Sequence, residues 1–124
     1  MPLRIFNGPI IRAGQHLSDV LAITDQFIVG CVTPAAWTPA RVTVQVSPEG
    51  DNYYDLFDGA GSEFAFSVIQ PNTMIFVNAH RLMSAAFVRF RSGTRDAPII
   101  QPITRNFFLI GAAKIALAMS DDET

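Results

Sequence analysis

The chain has 124 residues, enough for one domain that buries about two-thirds of the surface exposed by its unfolded form. Its net charge of −2 excludes strong electrostatic attraction to a nucleic acid or an anionic membrane, and its single cysteine excludes an internal disulfide. Hydrophobic residues make up 49% of the chain and charged residues 16%, against about 25% charged in an average soluble domain. We therefore expect other protein subunits to cover part of its surface.

Arginine supplies nearly all of the basic residues, since Lys114 is the only lysine. The planar guanidinium suits protein interfaces because it is less strongly hydrated than an ammonium group and binds a carboxylate through two hydrogen bonds. A GC-rich genome produces the same bias, so composition leaves both explanations open.

The chain begins with MPLRIFNGPIIRAGQ, which lacks the charged start and long apolar core of a secretion signal. We predict a protein that is made and kept in a cytoplasm, with residues 1–10 as an N-terminal arm and residues 112–124 as a C-terminal tail. The apolar stretch from Phe107 to Met119 is interrupted by Lys114 and is shorter than the roughly 20 residues that span a bilayer. No membrane partner is expected.

The segment AGQHLSDVLAI is compatible with one helical turn, and it contains the residue types of a hydrolase triad. His16, Ser18 and Asp19 lie too close together in sequence for the geometry of nucleophile, base and orienting carboxylate, and no G-x-S-x-G motif accompanies them. Two histidines and one distant cysteine have no zinc-binding spacing, and His80 is interpreted as a surface loop residue. We predict no catalytic residues, no metal site and no cofactor.

Strands dominate the rest of the chain. In RVTVQVS, Val42, Val44 and Val46 alternate with polar residues, which is typical of a strand with one buried side. The alternation recurs in EFAFSVI and AFVRFRS, and shorter apolar runs bounded by turn residues occur in QFIVGCV, TMIFVNA, APIIQPI and NFFLIGA. Strand signals at this spacing predict a single all-β domain over residues 1–124, an antiparallel β-sandwich of jelly-roll-like form. Cys31 is predicted to be a buried core residue of one of these strands.

Four carboxylates follow the valine strand within ten residues: Glu49, Asp51, Asp55 and Asp58. Their order does not match the ligand positions of an EF-hand calcium loop. The flanking sequences SPEGDN and DGAGS instead carry the residues that turns require. We predict two turns on either side of a short strand, YYDLF, with a weak calcium site as the lesser alternative.

Trp37 and a run of arginines are the remaining candidates for function. Trp37 lies between two prolines, where it either anchors a loop or the core, or projects into a partner or a sugar. The run comprises Arg89, Arg91 and Arg95, close to Phe87 and Phe90. It resembles a stacking surface for nucleic acid, but the acidic overall charge favours a solvated sheet face or a subunit contact. No nucleic-acid partner is therefore expected.

Three segments together resemble small virion proteins of tailed bacteriophages and prophages. They are RAGQHLSD, PAAWTPARVTVQVSPEGDNYYDLFD and RFRSGTRDAPIIQP, and they extend from about Arg12 to Pro102. The resemblance implies a non-enzymatic capsid decoration or cement protein on the surface of the virion. Such proteins bind the major capsid protein, commonly as homo-trimers, and bridge neighbouring subunits so that expansion or DNA pressure does not separate them. The resemblance brings no catalytic residue and no cofactor.

On this reading the interface residues are predicted to be Trp37, Arg89, Arg91 and Phe6. Similar β-modules occur in tails, baseplates and head fibres, so a component of one of these is the first alternative, with Trp37, Tyr53 and Tyr54 stacking on carbohydrate. A small hydrolase that uses His16 and Ser18 is the second alternative.

Overall fold

The computed structural model describes residues 3–66, 70–77, 82 and 85–113. The strands in this part are β1 (Arg4–Ile11), β2 (Leu21–Ala22), β3 (Gln26–Val32), β4 (Val42–Ser47), β5 (Tyr54–Asp55), β6 (Ala65–Phe66), β7 (Met74–Phe76), β8 (Phe87–Ser92) and β9 (Arg105–Ala113). One sheet has the order β1-β9-β3-β7, and the other has the order β2-β8-β4-β5 with β6 also paired to β4. The predicted antiparallel β-sandwich is confirmed. The described residues contain no helix that is long and apolar enough to cross a bilayer.

The strand pairs are nested: the first strand pairs with the last, the second with the second-to-last, and so on toward the middle of the chain. β1 pairs with β9, β2 with β8, β3 with β7, and β4 with both β5 and β6, in every case antiparallel. Two further pairings, β3 with β9 and β4 with β8, join these pairs into the two sheets. The chain is therefore one long antiparallel ribbon that is folded over on itself.

The core lies between the two sheets. The apolar sides predicted for β4 and β8 are buried, and Val44 and Phe90 are fully inaccessible. The prediction of only one buried side is wrong, because Thr43, Ser47 and Arg91 on the polar sides are buried as well. Edge-to-face ring contacts connect Trp37 to Phe107 on β9 and Phe107 to Phe90 on β8, with centroids 5.2 and 5.3 Å apart. This aromatic series joins the two layers, and a contact of this kind contributes about 1 kcal/mol beyond the area it buries.

The N-terminal arm predicted for residues 1–10 is, from Arg4 onward, a strand of the sheet. β1 pairs along its length with β9, and its register shifts between Asn7 and Ile10, where Gly8 and Pro9 form a bulge. Gly-Pro interrupts the apolar alternation, which is why the sequence pattern does not predict this strand. The predicted C-terminal tail begins inside β9, and residues 114–124 lie outside the described part of the chain.

Two other segments differ from expectation. AGQHLSDVLAI contains the short strand β2 in place of a helical turn. APIIQPI, predicted as a strand, belongs to the loop between β8 and β9. A buried polar cluster holds this loop: the Gln101 side chain donates to Ser92 Oγ (2.8 Å) and accepts from Arg105 Nε (2.9 Å). The loop is therefore ordered by side-chain hydrogen bonds, which period-two alternation does not reveal.

Candidate interaction surface

The outer side of the four-stranded sheet carries two rows of residues that are apolar except for Asn7. In the first row Ile110 on β9 is paired with both Ile5 and Gly30, and Gly30 with Phe76. Directly paired residues of antiparallel strands point to the same side of a sheet. A Cβ added at Gly30 would lie 3.3 Å from the Ile110 side chain and 3.4 Å from that of Met74, which confirms that these groups share one side.

The second row runs parallel to the first, two residues along each strand. Phe108 on β9 is paired with Asn7 and Val32, and Val32 with Met74. Leu109, between the rows in sequence, is fully buried and points into the core. We call the two rows together the apolar face, which consists of Ile5, Asn7, Gly30, Val32, Met74, Phe76, Phe108 and Ile110.

The apolar face is open to solvent and bears no charge. Phe76 is 80% exposed, Ile5 and Met74 are each 62% exposed, and Phe108 is 43% exposed. From strand and residue spacings, its footprint is roughly 300 Å². Contiguous apolar patches of a few hundred Å² on a monomer are often functional, because such a patch is stabilised by contact with another molecule.

A shallow depression adjoins the apolar face at the bulge in β1. Its volume is about 250 Å³, and it is lined by Asn7, Gly8, Ile10, Asn106, Phe107 and Phe108. Two side-chain amides therefore lie beside an exposed aromatic ring. This combination offers hydrogen bonds and a stacking surface in one concave place.

The outer side of the five-stranded sheet is polar, and its charges are paired within the chain. Arg91 donates hydrogen bonds to the carboxylates of Asp55 and Glu63, the latter at 3.2 Å. Arg91 is only 5% exposed, while Arg95 lies 3.7 Å from Asp55 at the surface. The guanidinium of Arg91 thus reaches across β4 and ties β8 to β5 and to the loop before β6.

This ion pair changes the titration of Asp55. Burial by itself raises the pKa of Asp55, but the hydrogen bond and charge of Arg91, together with Gln45 and Arg95, outweigh it. The net effect is a pKa below the ordinary value of an aspartate. The carboxylate is therefore ionised at neutral pH and serves as a structural anion.

Arg89 is also bound within the chain. It donates to Gln45 Oε1 at 2.6 Å, and its guanidinium lies 4.3 Å from the centre of the Tyr53 ring. Its Nε is buried without a hydrogen-bond partner among the described residues. An interface role for Arg89 or Arg91 stays a prediction, and any such contact would have to compete with these internal ones.

Phe6 and Trp37, the other two predicted interface residues, point inward. Phe6 is paired with Leu109 and packs half-buried against the core. Trp37 is 2% exposed, and its Nε1 donates to the carbonyl of Ala40 at 3.3 Å. Trp37 is therefore a core residue of the isolated chain, the first of the two placements left open by the sequence, and its interface role stays a prediction.

The two turns predicted behind β4 are present on either side of β5, and Glu49 and Asp58 stabilise them. Glu49 accepts hydrogen bonds from the backbone of Asn52 at 2.7 Å and of Asp51 at 3.2 Å, and the first of these is the main reason that its pKa is lowered. Asp58 Oδ1 accepts from the backbone of Ala60 and Ser62. In the part of the chain that the structure describes, no three His, Cys, Asp or Glu side chains are placed to hold a metal ion.

Ser18, one of the hydrolase candidates, has structural hydrogen-bond partners. Ser18 Oγ accepts from the backbone of Phe90 at 2.8 Å and donates to the carbonyl of Asp19 at 2.7 Å. Burial raises the pKa of Cys31 to about 12, so this core thiol stays protonated, as expected of a buried cysteine. His80 lies outside the described residues.

Sequence reasoning missed the residues of the apolar face, although a signal for them exists. TMIFV and NFFLIGA are apolar at successive positions, whereas RVTVQVS alternates. A strand that is apolar on both sides is typically covered on both sides, and in β7 and β9 one of those sides is exposed. No protein-family model matches the chain, and no curated protein or solved structure matches it.

Proposed function

We propose that the chain is a non-enzymatic structural protein of a tailed-phage particle, most directly a capsid decoration or cement protein that binds the major capsid protein. The apolar face is the observation that carries the proposal. It is uncharged and exposed, whereas Arg89 and Arg91 on the opposite sheet already bind groups of the same chain. A surface of this kind binds protein by burying apolar area.

The nested strand pairing supports the same proposal. We infer that β5 and β6 are two segments of one strand opposite β4, which gives the two four-stranded sheets of a jelly roll. Double-sheet jelly rolls recur in viral capsid and lectin domains. Because one fold hosts many functions, the assignment rests on the apolar face, and the strand order is secondary.

The size of the apolar face indicates how it would act on a capsid. A stable interface buries about 800 Å² on each partner, more than twice the roughly 300 Å² of the face. The contact must therefore extend onto neighbouring loops or a second capsid subunit. A site at the junction of two subunits meets this need, and binding there would resist the separation of those subunits under internal pressure.

Immunogold electron microscopy tests the location. Antibody raised against the purified protein is applied to intact particles from cultures that express the chain, with particles lacking its gene as the control. Dense label over the heads is expected. Label at the tail supports the alternative of a tail, baseplate or head-fibre component, and intact particles without label would overturn a virion role.

The depression beside Phe108 is the observation that favours a carbohydrate-binding role as the second candidate. Aromatic rings with neighbouring amides suit sugar recognition, and the ring of Phe108 is accessible where that of Trp37 is not. Glycan-array binding that is lost in Phe108→Ala but kept in Tyr54→Ala would support this candidate. Binding that is absent, or equal in the two variants, would remove it.

A further inference from the structure

β7 is an edge of the four-stranded sheet, and alternate residues of it direct their backbone groups outward. Thr33 N donates to Thr73 O at 2.9 Å, and Val77 N donates to Val29 O at 3.0 Å. Hydrogen-bonded and non-hydrogen-bonded pairs alternate along antiparallel strands. Residues 73, 75 and 77 therefore face β3, while the N–H and C=O groups of Met74 and Phe76 point away from the sheet.

The two edges of this sheet differ in how they resist pairing with another chain. β1 carries Arg4, Pro9 and a bulge, which are common means of protecting an edge. β7 has no charge, no proline and no register shift. Its short length is its one protection, and within the described residues no strand pairs with its outer edge.

We propose that β7 pairs antiparallel with β7 of a second copy of this chain, about a two-fold axis at Ile75. Met74 of the first copy then lies opposite Phe76 of the second copy, and Phe76 of the first copy lies opposite Met74 of the second. Each of these pairs exchanges both of its N–H···O=C hydrogen bonds, so every outward backbone group of the strand is satisfied. The contact is isologous and closed, which gives a dimer and not a fibre.

The side chains of β7 support pairing with a second copy of the chain. Phe76 is the most exposed residue of the apolar face and Met74 is as exposed as Ile5. The pairing brings Met against Phe across the strands on both sides of the axis. Because the apolar face carries no charge, two copies approach without repulsion. The pairing also joins two apolar faces into one surface of roughly 600 Å², closer to the area that a further protein partner needs.

The expected dimer is weak in dilute solution. Two three-residue strands bury far less than the roughly 1,000 Å² that a stable interface requires, so association should appear only at high protein concentration or at the local concentration of an assembly. The inference does not depend on the proposed phage role, since it concerns the chain alone.

Disulfide trapping tests the register. Chains with Met74→Cys are mixed with chains carrying Phe76→Cys under mild oxidation, and each variant is also oxidised alone. In the proposed register, the Cα atom of residue 74 in one copy lies about 5.5 Å from the Cα atom of residue 76 in the other copy, which is within disulfide range. The two copies of residue 74 lie more than about 7 Å apart, and so do the two copies of residue 76. The mixture should cross-link at least fivefold faster than either variant alone, and equal rates would overturn the register.

Sedimentation equilibrium tests the dimer itself. The unmodified chain should show a reversible monomer–dimer equilibrium, Phe76→Lys should remain monomeric, and Ile5→Lys, at the opposite edge of the apolar face, should dimerise normally. Thermal unfolding of each variant establishes that it is folded. A chain that stays monomeric at millimolar concentration, forms a trimer, or dimerises equally well with Phe76→Lys contradicts the proposal.

Discussion

Arg91 lies between two carboxylates that are 36 and 28 residues away in the chain, Asp55 and Glu63. In the sequence it belongs to an arginine-rich strand, and that pattern is typical of a strand with a charged, solvent-exposed side. In the fold it is buried, and its side chain extends over β4 to reach Asp55 on β5 and Glu63 just before β6. Pairings over such distances follow from the topology and not from local spacing, so this cluster was not predictable from the sequence.

Replacing Arg91 with methionine should lower the free energy of unfolding by about 3 kcal/mol. The substitution leaves Asp55 and Glu63 half-buried without their main cation, and removing one partner of a buried ion pair is strongly destabilising. Urea unfolding measures the change. Arg12→Met is the matched control, since its contact with Asp19 is 3.9 Å long and exposed, and it should change stability by less than about 0.5 kcal/mol. Equal effects of the two substitutions contradict the structural role of Arg91.

Because of Asp55, we expect the free energy of unfolding to decrease as the pH becomes acidic. Its pKa is lower in the folded chain than in the unfolded chain, so its contribution is complete above the ordinary aspartate pKa near 4 and is lost as pH falls through the folded value. The unfolding free energy of Asp55→Asn should therefore decline less steeply below about pH 4 than that of the unmodified chain. Some slope remains, because the pKa of Glu49 is also lowered. Identical slopes in denaturant titrations at several pH values would show that Asp55 is not a stabilising anion.

At the scale of elements, the strands with clean alternation were predictable and the others were not. β4 and β8 each have one apolar side and one polar side and form strands as expected, although their polar sides are buried at Thr43, Ser47 and Arg91. β1 was missed because a Gly-Pro bulge breaks its pattern, and the loop APIIQPI was mistaken for a strand because three isoleucines suggest a core. Ile99, Ile100 and Ile103 are exposed instead, and only the contacts of Gln101 reveal why the loop takes this path.

Gly93 marks the end of β8, where the chain turns into this loop. Its φ is +90°, and a Cβ there would lie 2.5 Å from Ala97 O and 2.7 Å from Ile99 N. Gly93→Ala should therefore destabilise the fold by at least about 2 kcal/mol, through backbone strain and these contacts. Gly59→Ala, where a Cβ meets nothing within 4 Å, should be close to neutral. A Gly93→Ala chain with an unchanged melting temperature contradicts the turn geometry.

At the scale of the whole molecule, the two outer surfaces of the sandwich have different characters. One sheet presents paired arginines and carboxylates, and the other presents the apolar face. The low proportion of charged residues predicts covered surface, but composition does not reveal where that surface lies. Only the register of four strands places Ile5, Phe108 and Phe76 on the same side.

The measurement that tests the central claim most directly is the amount of protein retained on purified particles when one exposed apolar residue is changed. Ile5→Asp alters the apolar face, and Tyr54→Asp alters an edge strand of the other sheet at nearly equal exposure, 62% against 58%. Both variants should fold with similar melting temperatures. We predict that Ile5→Asp reduces the number of copies per particle at least tenfold, while Tyr54→Asp leaves it within twofold of the unmodified chain. Equal retention of the two variants, or loss of Tyr54→Asp alone, would contradict the assignment of the apolar face as the binding surface.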